Sequence, residues 1–266
     1  MTMLVAGIDI GSGTTKCVLM DAAGAVRGRA LSKTRTDFEK VAREVLEAAR
    51  AEAGGDEVFY VATTGLGRYA VPFRDIQITD LTCGARGAAT LFPSTRYVLD
   101  IGSQCSRAIK LREGGKVKEF HMNEKCAAGS GGFLERAAKY LEVRVDDIGA
   151  LSLAAERPQA ISSVCAVLAE SEIINHVSEG VSVENILRGI HDSLGDRALS
   201  LLKRVVLDGE VTLIGGVALQ AGMVAALRAK LGVPINVPEA PQYTTALGAA
   251  VLGLQRSRKL AAPAAA

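Results

Sequence analysis

Residues 9–30 read DIGSGTTKCVLMDAAGAVRGRA, and residues 100–121 read DIGSQCSRAIKLREGGKVKEFH. At an offset of 91 residues, with no gap, Asp9, Ile10, Gly11 and Ser12 fall on Asp100, Ile101, Gly102 and Ser103. Lys16 falls on Arg107, Gly24 on Gly115 and Val26 on Val117. Each copy has the same physical content. An apolar run (LVAGIDI, RYVLDI) ends in an acid and a glycine turn. A second strand follows (KCVLM, RAIKL), and a tight Gly-containing turn leads to a third (AVRGRAL, KVKEFHM). Self-similarity on this scale marks a duplicated domain, not a solenoid.

Outward from these copies the chain alternates. FEKVAREVLEAARAEAG predicts a helix closed by glycine, VFYVATTG a strand, and residues 85–91 a second helix. After Cys126 the sequence is mostly helical until an apolar strand at 211–214 runs into Gly215 and Gly216. A helix (GMVAALRAKLG), a short strand (VPINV) and a last helix (TTALGAAVLGLQRSRK) follow. This pattern predicts an α/β protein of two similar lobes around a cleft. The first lobe is expected to comprise 1–92 with 242–266 returning to it, the second 93–241.

The chain has 266 residues, 48% of them apolar, with 28 glycines and no Trp, so its core rests on Ala, Val, Leu and Ile. A formal net charge of +2 is far too balanced to argue for nucleic acid or an anionic membrane as partner. No apolar run has the length of a membrane span, and the N-terminus fits a buried strand better than a signal peptide. Five cysteines (17, 83, 105, 126, 165) without close pairing argue against a secreted disulfide framework, and a cytoplasmic protein is expected. The C-terminal AAPAAA is expected to be unstructured.

Glycine turns after strands cradle phosphate because backbone N–H groups approach an anion with no Cβ in the way. GSGTTK is not Gly-x-Gly-x-x-Gly, since Lys16 stands at the third glycine, and no stretch matches the Gly-x-x-x-x-Gly-Lys-Ser/Thr loop. The weight lies in two gapless copies plus a third turn at Gly215 and Gly216. Asp9 and Asp100, expected to face each other across the cleft, are candidates to hold hydrated Mg²⁺ or position a water. Thr14, Thr15 and Lys16 are candidate phosphate donors. The residues leave a second reading open, in which both acids only cap their hairpins. The three motifs DIGSGTTK, DIGSQ and LIGG resemble the two phosphate turns and the adenosine turn of the actin–hexokinase–sugar kinase superfamily. That resemblance implies a duplicated ATPase fold binding ATP and Mg²⁺ through Asp9, Gly11, Ser12, Gly13, Thr14, Thr15, Lys16, Asp100, Gly102, Ser103, Gln104, Gly215 and Gly216.

Cys126 stands before a glycine-rich turn (CAAGSGG) and a helix, and Cys165 stands in ISSVCAVLAESEII, 39 residues later. That spacing excludes a local Cys-x-x-Cys knuckle. Two thiolates cannot hold an iron–sulfur cube, but two chains supplying two each can. Helix N-termini behind the sulfurs would favour an anionic cluster, and glycines 129, 131 and 132 would let amides approach it. Two inert core cysteines remain the alternative on spacing alone.

NEKCAAGSGGFLE and SSVCAVLAESE closely resemble the cysteine motifs of 2-hydroxyacyl-CoA dehydratase activators and benzoyl-CoA reductase ATPase subunits. The resemblance implies a [4Fe–4S] cluster shared by two subunits, with Cys126 and Cys165 as this chain's ligands. It implies ATP-driven transfer of low-potential electrons, with reduced ferredoxin as donor and a catalytic acyl-CoA component as acceptor. At the second turn this chain has DIGSQC where the homodimeric activators carry Asp-Ile-Gly-Gly-Gln-Asp, so Ser103 replaces a glycine and Cys105 an acid. That departure, with VATTGLGR, CAVLAESEIINHVSEG and ILRGIHDSL, points to a subunit of a benzoyl-CoA-reductase-type complex, paired with a second, unlike ATPase subunit. A homodimeric dehydratase activator and a small-molecule kinase without a cluster are the alternatives. Cys17 and Cys83 are expected to be packing residues, the three histidines structural or surface groups, and Glu170 and Glu172 a solvated helix face.

Overall fold

The structure is a computed structural model, and it describes residues 3–123, 129–162 and 165–261. Cys126 and residues 262–266 of the AAPAAA tail lie outside the described residues, while Ala261 ends the last helix. The chain divides into two compact units: residues 1–93 with 112–117 and 243–266, and residues 94–111 with 118–242.

The first unit is built on β1 (Leu4–Ile10), β2 (Thr14–Asp21), β3 (Val26–Lys33), β4 (Val58–Gly65) and β5 (Ile76–Gln77), in the order β3-β2-β1-β4-β5. β1 pairs antiparallel with β2 and parallel with β4. Every residue of β1 is buried, as its continuous apolar run requires of a strand covered on both faces. α1 (Phe38–Glu52) covers one face. Asp37 caps it by accepting from the Lys40 amide at 2.9 Å, and Val41, Ala42, Val45 and Ala49 form its buried stripe. α2 (Asp80–Leu91) starts earlier than the sequence pattern places it, because Thr79 supplies the cap by accepting from the Thr82 amide.

The last helix, here numbered α8 (Thr244–Ala261), belongs to this unit and crosses β1 and α2. Its crossing with α2 is at backbone distance. A Cβ on Gly87 would stand 2.0 Å from the Thr244 carbonyl oxygen, and one on Gly248 1.8 Å from that of Cys83. A chain with so few aromatics fills this space by bringing backbones together.

The second unit repeats the plan. β6 (Tyr97–Ile101), β7 (Ser106–Arg112), β8 (Lys116–Asn123), β9 (Val211–Ile214) and β10 (Ile235–Asn236) run in the order β10-β9-β6-β7-β8. β6 pairs antiparallel with β7 and parallel with β9, and β10 lies parallel to β9. The sheets therefore match strand for strand. They differ between the third and fourth strands. The first unit has α1 there. The second has α3 (Gly131–Tyr140), α4 (Ile148–Leu153), α5 (Ala166–Ser178) and α6 (Val183–Arg204), with α7 (Ala221–Leu231) following β9. Tyr97, Leu99 and Ile101 of the sheet pack with Phe133, Leu134, Ile173, Ile190 and Leu194 of these helices in one apolar core.

Candidate functional site

Each glycine turn is closed in the same way. The Gly11 amide donates to the Thr14 carbonyl at 3.2 Å, and the Gly102 amide to the Cys105 carbonyl at 2.9 Å. The acids are held alike too. Antiparallel register sets Asp9 opposite Lys16 and Asp100 opposite Arg107. Lys16 Nζ is 3.2 Å from the Asp9 carboxylate and Arg107 Nη1 is 2.8 Å from that of Asp100. Both carboxylates are nearly buried, so each requires a cation or donors at hand. The pairing of Lys16 with Arg107 in the repeat thus has a structural cause. It also places the Lys16 ammonium on Asp9.

The first turn is braced from the end of β3 by a residue that sequence reasoning missed. The Thr34 amide donates to the Gly13 carbonyl at 3.0 Å, and its hydroxyl donates to the Gly11 carbonyl at 2.8 Å. The Thr15 hydroxyl, fully buried, bonds Thr34 Oγ1 at 2.9 Å. Thr15 is thereby directed into the unit, while Gly11, Ser12, Gly13 and Thr14 are partly exposed along the turn. A lone threonine downstream of the turn carries no sequence signal of this role.

In the second unit β9 ends against the acid of β6. Gly215 has φ +90°, and a Cβ there would lie 2.5 Å from the Ile101 carbonyl oxygen and 2.8 Å from Asp100 Oδ1. Gly65, at the end of β4, has φ +86°, and its Cβ would lie 2.5 Å from both the Ile10 carbonyl oxygen and Asp9 Oδ1. Gly65 is thus the counterpart of Gly215. The gapless offset hid it, because α3 to α6 lengthen the second unit between the matching strands. Gly216 is exposed, and a Cβ there would meet open space. Ser103 and Gln104 sit with Gly102 on the partly exposed second turn.

The thiols divide by environment. Cys17 and Cys83 are fully buried; burial drives the Cys17 thiol pKa far above its ordinary value and pushes that of Cys83 up to about 12. Both are packing residues, as expected. Cys165 is the opposite. It occupies the N-cap position of α5 and is only partly covered. The nearby amides of Leu168, and after it Val167, at the start of α5 draw its pKa below the usual thiol value, with the Arg197 guanidinium adding to the effect. A helix N-terminus favours the thiolate over the thiol at such a position. Among the described residues no group of three or more His, Cys, Asp and Glu is gathered to hold a metal.

Glu170 and Glu172 do not form a solvated face. Glu170 accepts from Arg136 Nε at 2.6 Å and from the Tyr140 hydroxyl at 3.2 Å, and Glu172 from the Ser162 amide at 2.6 Å. His191 is fully buried with Nδ1 2.8 Å from Ser152 Oγ, and burial lowers its pKa to about 4. Among the described residues, no helix is long and apolar enough to cross a membrane.

Comparison with known proteins agrees with this geometry along nearly the whole chain. The chain is 43% identical over 273 residues to a benzoyl-CoA reductase subunit of Thauera aromatica, covering 97% of this chain and 95% of that protein. It superimposes on the crystal structure of the Acidaminococcus fermentans (R)-2-hydroxyglutaryl-CoA dehydratase component A with a TM-score of 0.92 at 34% identity, covering 97% of this chain and 100% of that one. The activator of 2-hydroxyisocaproyl-CoA dehydratase from Clostridium difficile, solved with bound ADPNP, matches with a TM-score of 0.92 at 37% identity, over 99% of this chain and 100% of that one. These likenesses and the duplicated sheet give the actin/hexokinase-like ATPase fold. Residues 6–253 match the BadF/BadG/BcrA/BcrD ATPase family, and the chain belongs to that family.

Proposed function

We propose that this chain is an ATP-driven electron-supplying subunit of a benzoyl-CoA-reductase-type complex. Cys126 and Cys165 would give two of the four thiolates of a [4Fe–4S] cluster completed by a second, similar ATPase subunit. The observation that carries this reading is the Cys165 thiol. It is acidified by two helix amides and presented at the surface of the unit that also carries the second turn.

MgATP is taken by residues 11–14, 102–104, 215 and 216, whose partly exposed glycine turns suit phosphate and nucleoside. Asp9 and Asp100 orient the attacking water or the hydrated Mg²⁺, each with its cation beside it. Lys16 and Arg107 thus contribute charge near the phosphates while steadying the acids. When bound, the cluster supplies one-electron storage at low potential. ATP drives transfer only to the extent that it binds two arrangements of the chain with different affinity. A reduced ferredoxin would be the donor to a cluster held by Cys126 and Cys165, and a catalytic acyl-CoA component the acceptor.

A second reading, activator of a 2-hydroxyacyl-CoA dehydratase, is favoured by the two superimposable structures, both components or activators of such dehydratases. Cys105 in place of the expected acid, together with the identity to a reductase subunit, favours the first. The experiment is anaerobic purification with co-expressed partner subunits. A brown protein that loses its visible absorption on Cys165→Ala while still binding ATP supports the electron-supplying role. Colourless, iron-free protein after reconstitution supports a kinase-like ATPase instead. Reduction of benzoyl-CoA, as against dehydration of a 2-hydroxyacyl-CoA, by the reassembled complex decides between the two acceptors.

A further inference from the structure

The helix that begins at Cys165 is thinly attached. Of α5 only Ala169 and Ile173 are buried, while Val167, Leu168, Ile174 and Val177 are exposed. Burial of one alanine and one isoleucine anchors a helix weakly, so its polar ties take a larger share in fixing its position. Glu172 closes the segment before Cys165 back onto the helix through the Ser162 amide. Glu170 reaches outward to α3, to Arg136 Nε at 2.6 Å and the Tyr140 hydroxyl at 3.2 Å.

The opposite end of α3 is seated on the second glycine turn. The Gly131 amide donates to the Gly102 carbonyl at 2.9 Å and the Gly132 amide to that of Ser103 at 2.8 Å, while the Ser106 hydroxyl donates to the Gly129 carbonyl. A Cβ on Gly132 would come 2.9 Å from the Ser103 oxygen, so the contact is backbone on backbone. Hydrogen-bonded helices move as near-rigid bodies, and a shift of the turn at 102–103 displaces the whole of α3. Arg136 and Tyr140 carry that displacement to Glu170, five residues along the helix from Cys165.

Resting on the reading in which residues 102–104 take a phosphate and Cys165 is a cluster ligand, we propose that the Arg136–Glu170 pair, steadied by Tyr140, is the latch through which the second turn sets the position of the Cys165 helix. Arg136 and Glu170 are positioning residues, touching neither nucleotide nor cluster. The pair is partly exposed, at 38% and 20% of the side chains, so it is weak enough to be exchanged during a cycle.

The test uses the full chain, free of cluster and reduced. The alkylation rate of Cys165 by iodoacetamide is followed by peptide mass mapping with ADP and with a non-hydrolysable ATP analogue, and affinity for both nucleotides is measured in parallel. In the unaltered chain the two rates are expected to differ about fivefold or more. Glu170→Gln and Arg136→Gln bring the rates together with nucleotide affinity within about twofold of normal, and the double exchange Arg136→Glu with Glu170→Arg restores the difference. Equal rates in the unaltered chain with nucleotide bound, or an undiminished difference in Glu170→Gln, would overturn the latch and leave the ATPase reading standing. A chain that binds neither nucleotide would overturn the functional reading beneath it.

Discussion

A carboxylate near the end of a buried strand needs a cation or several donors, and Asp9 and Asp100 each find a cation on the neighbouring hairpin strand. The thiols show the same dependence on surroundings. Cys165, held acidic by helix amides, is expected to react with iodoacetamide at pH 7 in the folded chain, whereas Cys17 and Cys83 stay unmodified until it unfolds. Peptide mapping after a timed exposure checks this, and equal labelling of all three would contradict it. His191 gives the pH dependence. It is packed among Ser152 of α4, Arg188 on its own helix and Gly222 of α7, and burial lowers its pKa from 6.5 to about 4. A depressed histidine is neutral in the folded chain while the unfolded chain takes up its proton below about pH 6.5. Its stabilising effect is therefore complete above that pH and is lost as pH falls toward 4. The loss is about 3 kcal/mol. Urea midpoints at pH 7 and 4.5 should show it in the natural chain and show less of it in His191→Gln.

Among the elements, the two strands that end in glycine against an acid are the most exacting. Gly65→Ala and Gly215→Ala each force a Cβ into a left-handed backbone position and onto an aspartate oxygen, and each is expected to cost about 1–3 kcal/mol. Gly216→Ala meets open space, so its stability should stay within about 0.5 kcal/mol of normal while nucleotide affinity falls. Denaturant midpoints with nucleotide titrations on the three variants separate these effects. The elements also show how far the sequence could be read. The hairpins were legible because glycine turns and alternating apolar runs leave a local pattern, as in residues 9–30 and 100–121. β4 and α1 were legible from their uninterrupted pattern and the glycine after the helix, while the Asp37 cap was not read from the sequence. The equivalence of Gly65 and Gly215 was not, because helices of unequal length separate the matching strands. Nor were the partners of Glu170. Its segment reads as an apolar run with acids, and only the fold shows Val167 and Leu168 turned outward while the glutamate reaches Arg136.

On the scale of the whole molecule, duplication explains the division of labour. Two units share one strand order, and the second carries the additional helices α3 to α6 between its third and fourth strands. The resemblance-derived cysteine positions fall in that added part, around residues 126 and 165, and not in the repeated sheets. The family includes proteins named as a reductase subunit and as a dehydratase activator on this one fold, so the fold alone does not set the acceptor. On the proposed reading, in which this chain provides two thiolates of a four-thiolate cluster, a second ATPase subunit would supply the other two. Native mass measurement of the purified complex is expected to show this chain paired with an unlike ATPase subunit, and a fully active homodimer would contradict that pairing.

Iron and sulfide counted per ATPase chain in the anaerobically reconstituted complex is the decisive quantity. About four irons and four sulfides per pair of ATPase chains, lost on Cys165→Ala with ATP still bound, is the expected result. A full complement of four irons on a single isolated chain, or an active complex without iron on its ATPase chains, would contradict it.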